Sequence, residues 1–595
     1  MWATMSDLFL SLNRKLFLSI IKIMKTFYRS WIALFAITGV FLLNTFNVTA
    51  QNINSKKLHE TIDDANLPAA AGQMIRTPAY RYENSMVFTQ QVNVDENGDN
   101  IVGDAANEPS IAVDPVNPDR IVIGWRQFDN VSSNFRQAGY GYTSDGGHTW
   151  TFPGVIDPGQ FRSDPVLDFD TLGNFYYNSL GVDNGDNMWC DVYRITDGGF
   201  EWDEGVYAEG GDKQWMRIDR TDGIGSGNIY AEWNQSFSVC NNGSFTRSTD
   251  NGDSYEDCFP VDGNPFWGTL AVGPEGELYE TGVTYDYPSG VVVVKSNNAK
   301  VPGSDIEWDM KTWVKLDGYL SGWTNINPVG LLGQAWVDVD KSDGPGHGYV
   351  YVLAAVERKS FYDPGDIMFA RSTDGGLTWD DPVRVNDDLS FTNIQWMGTM
   401  SVAPDGRIDV VWLDTRDAPS NTPDYSALYY AYSTDHGVSW SANEKISELF
   451  NPHVGYPNQQ KMGDYFDMVS DANGAHLAWA NTLNNEEDVY YTHITPPVVT
   501  GVENSNKTEV SFNLRNYPNP FNTQTSILYY LPETMHVNLT LYDSYGRMVK
   551  VLDNQTGVKG SHNVAVSVID LEAGIYYARL TAGNTTETTK LVVVK

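Results

Sequence analysis

The sequence predicts an all-β chain: a propeller of seven four-stranded blades, closed by its own N-terminal strand and followed by a small C-terminal β-sandwich. Three observations carry that prediction. A turn of eight residues recurs five times, paired strand-like runs recur in step with it, and the composition favours short strands joined by tight turns. Aromatic residues make up 13% of the 595 and charged residues only 19%, with 53 glycines.

The turn reads TSDGGHTW from Thr143, ITDGGFEW from Ile195, STDNGDSY from Ser248, STDGGLTW from Ser372 and STDHGVSW from Ser433. Its aspartates lie 52, 53, 124 and 61 residues apart, a period that signals a propeller with one degenerate copy in the wide gap. Residues 294–308 fill that gap, with Ser296 and Trp308 as remnants. The Asp can accept hydrogen bonds within its own turn, Gly supplies positive φ and Trp fills space, so the octet is scaffold rather than site.

Before each octet lies a hairpin: 109–127, 165–181, 215–233, 269–283, 336–356 and 399–414, with a seventh at 465–481. Each is an apolar run, a turn rich in Asp, Pro, Gly or Asn, then a β-branched and aromatic run. The last repeat lacks a fourth strand, and VFTQQVNVDENG (87–98) supplies it, removing an exposed edge. Six blades is the alternative if one hairpin is an insertion.

Ahead of the ring, 1–50 reads as a signal-peptide region. Translation is expected to start at Met24, with Lys25 and Arg29 before an apolar stretch and cleavage after Ala50. Residues 51–80 form an N-terminal extension, 81–495 the propeller, 496–510 a linker and 511–595 the terminal sandwich. No retained transmembrane segment is expected. The net charge of −37 argues against nucleic acid as a partner. Three cysteines allow at most one bridge.

Chemistry is expected on the loop face where the innermost strands begin. Aligning those strands by their turns places Glu108, Asp164, Lys213, Trp267, Gln334, Met397 and Asp464 at equivalent positions, with Arg162, Asp212, Trp396 and Tyr465 around them. Converging carboxylates repel, which raises some of their pKa values into a general acid's range. The strand-2 exits add Arg126, Arg358 and Arg416, and an Arg fork suits a ligand carboxylate. Trp267 and Trp396 suit stacking on sugar rings. No cofactor is required. DENGDNIVGD reads first as a solvated acidic turn, and the alternative is a structural calcium loop of Asp95, Asn97, Asp99 and Asp104, in which Ala106 stands where a calcium loop has Glu.

The S-x-D-x-G-x-T-W octet resembles the Asp-box, or bacterial neuraminidase repeat, of sialidase-superfamily propellers. The resemblance implies glycan recognition with hydrolysis of acidic sugars; the strand alignment supplies Glu108, Asp164, Asp464 and Tyr465 as the catalytic candidates, with Tyr465 the nucleophile by likeness to sialidases. Arg126, Arg162, Lys213, Trp267, Arg358, Trp396 and Arg416 would bind substrate, and the partner would be a glycan or glycoprotein. The rival reading is a non-catalytic surface propeller that binds protein or polysaccharide. In the tail, NYPNPFN (516–522), LYDSYGRMVKVL (541–552), GIYYARL (574–580) and KLVVVK (590–595) resemble the type A sorting domain of the type IX (Por) secretion system. That resemblance implies the type IX machinery as a partner, with the protein secreted or attached to the outer cell surface.

Overall fold

In the computed structural model, residues 60–67 and 75–496 are described, apart from 184–186, 197, 237, 241, 286–289, 323 and 361. The terminal unit is described at 512 and from 514 to 595, apart from 532–533, 545–546 and 584. The signal-peptide region and the linker from 497 on, like Asp197 of the second octet, lie outside these residues. The chain divides into two units, 1–497 and 498–595. Among the described residues no helix is long and apolar enough to cross a membrane.

The first unit is built from antiparallel sheets that follow one another along the chain. Seven of them start on an inner strand: Ala105–Val113, Arg162–Phe169, Trp215–Ile218, Leu270–Val272, Trp336–Val339, Gln395–Val402 and Asp467–Ser470. Each inner strand adjoins the next in that order, and the last adjoins the first, so these strands ring a common axis. Their residues are almost wholly buried on both faces, which explains why they read as continuous apolar runs rather than alternating ones. A short two-stranded ribbon, Arg76–Pro78 with Asp99–Ile101, lies outside this series.

Closure uses the N-terminal strand. Val87–Gln91 pairs with Asp488–Ile494, Val87 opposite Ile494, and Arg81–Glu83 adds outside it. Two ends of the unit, about 400 residues apart in sequence, are thereby held by one ladder whose long loop costs only slowly growing entropy.

The octets close their own turns. Asp145, Asp250, Asp374 and Asp435 each accept a backbone N–H and a hydroxyl from the residue four positions on, and a hydroxyl from two positions before. Two successive residues then turn left-handed, as in Gly375 and Gly376 at φ 69° and 93°. The degenerate copy keeps the device with Asn298 in place of Asp: it accepts from Ser296 Oγ and the Glu307 N–H. Cys240 and Cys258 form the single bridge, leaving Cys190 buried and free.

The second unit is a sandwich. A sheet of Arg515–Tyr517, Gln524–Leu531 and Gly560–Ser567 faces one of Met548–Gly557, Met535–Asp543, Gly574–Ala582 and Thr585–Val593. Ile527 and Leu531 of one share a core with Leu539, Leu541 and Leu580 of the other.

Candidate functional site: a buried ionic centre where the inner strands begin

Each inner strand has a residue in the left-handed region at or just before its start: Glu108 (φ 49°), Asp164 (45°) and Met397 (55°) within their strands, and Lys213 (56°), Trp267 (57°), Gly333 (138°) and Gly463 (99°) ahead of theirs. The equivalence expected from sequence holds at five positions. In the fifth and seventh strands it slips by one residue, because the glycine before Gln334 and before Asp464 takes the left-handed place. A Cβ at Gly463 would meet Glu108 Cγ at 2.6 Å, so the neighbouring bulge also requires glycine there. Five side-chain-bearing residues at positive φ each cost about 1–2 kcal/mol, strain of the kind that collects at functional sites.

The bulges aim charges at one another. Lys461 Nζ lies 2.7 Å from Asp464 Oδ2 and 2.8 Å from Glu108 Oε1, and Lys213 pairs with the same Asp464 oxygen. Asp464 Oδ1 accepts the Leu331 N–H at 2.8 Å. Arg126 Nε sits 3.2 Å from Glu108 Oε2. Asp164 accepts Ser163 Oγ at 2.6 Å and the Lys213 N–H at 3.3 Å. Asp212 accepts Asn234 Nδ2 at 3.1 Å. All of these side chains are at least nine-tenths buried.

Burial and charge then divide the carboxyls. Burial pushes Glu108 up to about 7 against the pull of Arg126 and Lys461, and Asp212 up to about 6 against Lys213. At Asp464 burial acts the same way, but Lys213 and Lys461 outweigh it and hold the carboxyl well below the ordinary range. Asp164 is also held low, by Lys213, Lys461 and Arg126 against burial. The centre thus contains a carboxyl, Glu108, that titrates near neutrality and two, Asp164 and Asp464, that stay ionised there.

Three members were not visible in the sequence. Arg136, whose guanidinium lies 4.5 Å over the Phe161 ring, enters from a loop that precedes the third strand of the first sheet. Lys461 enters from the loop before the seventh inner strand. Glu60 arrives from the N-terminal extension: it pairs with Arg136, and its Oε1 lies 3.4 Å from Arg126.

The other expected site residues are placed elsewhere or occupied otherwise. Tyr465 is buried, its hydroxyl donating to the Pro165 carbonyl at 2.7 Å and its ring edge-on to Trp215; burial, then Glu108 and Asp164, raise its pKa well above the usual value. That is a packing position, without the free hydroxyl a nucleophile needs. Arg162 is spent on Asp191 (2.6 Å) and Asp157 (3.1 Å), Arg358 on Asp317 and Asp366, and Arg416 on Asp414 and Asp387. None of these arginines pairs with a carboxylate of the centre. Trp396 is fully buried and donates to Ser426 Oγ, and Trp267 packs edge-on against Phe266.

The expected calcium loop is a hairpin turn. Asp95 Oδ1 accepts the N–H groups of Asn97 and Asp99, and its Oδ2 pairs with Arg76 at 2.8 Å, so the carboxylate is engaged within its own turn. Asp104 is buried apart from the turn, accepting from Gln127 Nε2. The groups of three metal-ligating side chains among the described residues are Glu209 with the bridged Cys240 and Cys258, and Glu60 with Asp164 and Asp212. Neither fits a cation: the first spends its sulfurs on a disulfide, and the second is already faced by arginine and lysine. A cavity of about 530 Å³ does exist, but at the opposite ends of the inner strands, between Ile111, Ile218, Val272, Val337, Met400 and Met468.

Residues 515–595 match the family of secretion-system C-terminal sorting domains. The second unit is a secretion sorting domain. The protein is therefore one that leaves the cell, secreted or held at the outer surface. Over 405 residues the chain is 24% identical to a xyloglucanase of a Paenibacillus species, covering 62% of this chain and 36% of that enzyme, so it spans about a third of its relative's length. Among solved structures it is similar to a protein of unknown function from Dyadobacter fermentans (13% identity, 69% of this chain and 98% of that one, TM-score 0.39). It is also similar to the NanB sialidase of Streptococcus pneumoniae (12% identity, 71% and 70%, TM-score 0.36).

Proposed function

We propose that the protein is an exported, glycan-active propeller whose ionic centre performs glycoside-hydrolase-type acid/base chemistry on sugars that carry a carboxylate. One observation carries the reading: Glu108 and Asp464 contact the same Lys461 ammonium, yet burial lifts the first to about 7 while two lysines keep the second ionised. Two carboxyls driven apart in this way have the assignments of an acid and of an ionised partner, and their contact with one ammonium sets them at the close spacing of a retaining pair. In hydrolysis Glu108 gives its proton to the departing glycosidic oxygen as that bond to the anomeric carbon breaks and Asp464 bonds to the carbon. Water then displaces Asp464 from the carbon and gives its proton to Glu108, restoring both groups. Arg126 and Arg136 present the forks that bind a sugar carboxylate. The xyloglucanase relative supports a glycan as the class of substrate.

The second reading, a propeller that binds polysaccharide or protein without cleaving it, draws on the solvent-excluded state of Glu108 and Asp164 and on the occupied Tyr465 hydroxyl. Release of fluorophore from aryl sialosides, glucuronides and xyloglucan oligosaccharides separates the two. Hydrolysis that falls at least about 100-fold in both Glu108→Gln and Asp464→Asn, with the fold retained, supports the enzyme. Binding on a glycan array without release from any substrate supports the second reading.

A further inference from the structure

The mouth of the ionic centre is already filled, and by the chain itself. Residues 60–67 belong to no sheet. Glu60 nevertheless is 3% exposed and places its carboxylate against Arg136 and Arg126, with Lys461 Nζ at 3.6 Å, Ser163 Oγ at 3.3 Å and Gln459 Nε2 at 3.4 Å. Its own N–H donates to Asp212 at 3.4 Å. The following residues are pinned across the opening. Asp64 Oδ2 accepts the Asn134 N–H at 2.7 Å and Asn458 Nδ2 at 3.0 Å, and the Ala65 carbonyl accepts Ser133 Oγ at 2.7 Å.

We propose that Glu60–Leu67 is an internal occupant of the carboxylate subsite, a tethered competitor that keeps the centre closed until a carboxylate-bearing glycan, or removal of the segment, displaces it. The proposal rests on the reading of the centre as a binding site for acidic sugars, and deepens it by assigning its regulation. Three features separate an occupant from a structural strut. The segment contributes no ladder and only Ile62 to apolar packing, against the small cluster of Phe161 and Leu180. Beyond Glu60 its anchors are loops of different sheets, Ser133 and Asn134 before the third strand of the first and Asn458 before the seventh inner strand. Its one deeply buried charge is a carboxylate, set where two guanidiniums and an ammonium converge, so a ligand carboxylate would meet the same donors. A tether gives such an occupant an effective concentration in the millimolar range, which masks the subsite from dilute ligand and vanishes on cutting.

The test uses the full chain with a site-specific protease sequence inserted between Leu67 and Arg76, and separately full-length Glu60→Ala. Calorimetric titration with D-glucuronate and N-acetylneuraminate, and with methyl glucoside as the uncharged control, is performed before and after cutting and removal of the peptide. The expected result is at least about tenfold tighter binding of both acids after cutting, and in Glu60→Ala, with no change for methyl glucoside. Equal affinity before and after cutting overturns the proposal. So does loss of the fold in both forms, monitored by thermal melting, because Glu60 is then a strut. Hydrolysis is scored independently. Binding unmasked without turnover retains the occupant and rejects the enzyme; turnover by the intact chain at the rate of the cut one rejects the occupant and retains the enzyme.

Discussion

Asp464→Asn removes the one carboxylate that faces two buried ammoniums, Lys213 and Lys461, the latter at 2.7 Å. The amide keeps the volume and the Leu331 contact but leaves an uncompensated positive charge in a solvent-excluded place. Breaking a buried pair on one side costs about 3–5 kcal/mol, and here Lys213 loses its ion pair while Lys461 keeps Glu108 at 2.8 Å. Urea unfolding of the first unit reads the loss. Since the folded pKa of Asp464 lies below its unfolded value, the carboxylate's contribution is fully present above about pH 4 and disappears as pH falls through the folded value. The gap between wild type and variant therefore shrinks in acid, and it also narrows as pH rises through about 6 to 7, because on top of burial the Asp464 charge helps raise Asp212 and Glu108 in the wild type alone. Adding Lys461→Met to Asp464→Asn restores part of the loss, giving an interaction energy of about 1–3 kcal/mol in the double-mutant cycle. A single-variant cost below about 1 kcal/mol, or full additivity, would refute the account of the centre as one coupled ionic unit.

Other expectations follow from the same structure. Glu232 and Glu280 are fully buried side by side with orphaned oxygens, and burial raises both well above the usual carboxyl value. Their raised folded pKa values make stability fall as pH rises above about 4.3, so Glu232→Gln is expected to raise the melting temperature at pH 8 and flatten its pH dependence; an unchanged profile counts against it. Tyr465→Phe loses one buried hydrogen bond, about 1 kcal/mol in melting experiments, and keeps whatever turnover the wild type has; abolished turnover in a folded variant would return Tyr465 to the reaction. Asp374→Ala strips a turn of three hydrogen bonds and is expected to cost about 1–3 kcal/mol of stability while glycan affinity stays within twofold, since the octet lies apart from the centre.

The repeat was legible because the inner strands, their turns and the octets obey local rules: apolar runs, left-handed glycines, an Asp closing its own loop. The closing strand at 87–91 was legible for the same reason. Strand alignment found Glu108, Asp164, Lys213 and Asp464, whose convergence follows from equivalent bulges around a ring. The register slipped at Gln334 and Asp464 because a preceding glycine absorbed the left-handed residue, which turn spacing does not reveal. Arg136, Lys461 and Glu60 were out of reach because they enter from segments outside the repeat, where partner choice is set by long-range packing. Arg162, Arg358 and Arg416 misled for the opposite reason: their positions are periodic, but so are the aspartates that take them up, such as Asp191, Asp366 and Asp414. In the 95–104 loop the ligand-like spacing was real, and the turn's own N–H groups and Arg76 had claimed the oxygens.

The most direct test of the central claim, that the ionic centre is a glycan acid/base site, is the hydrolysis panel run on the intact chain, on the chain freed of residues 51–67, and on each of these carrying Glu108→Gln. The account predicts release of fluorophore from a carboxylate-bearing glycoside, faster in the freed chain, and at least about 100-fold slower with Glu108→Gln. No release from any glycoside by the folded, freed chain, or release that ignores Glu108→Gln, would contradict it.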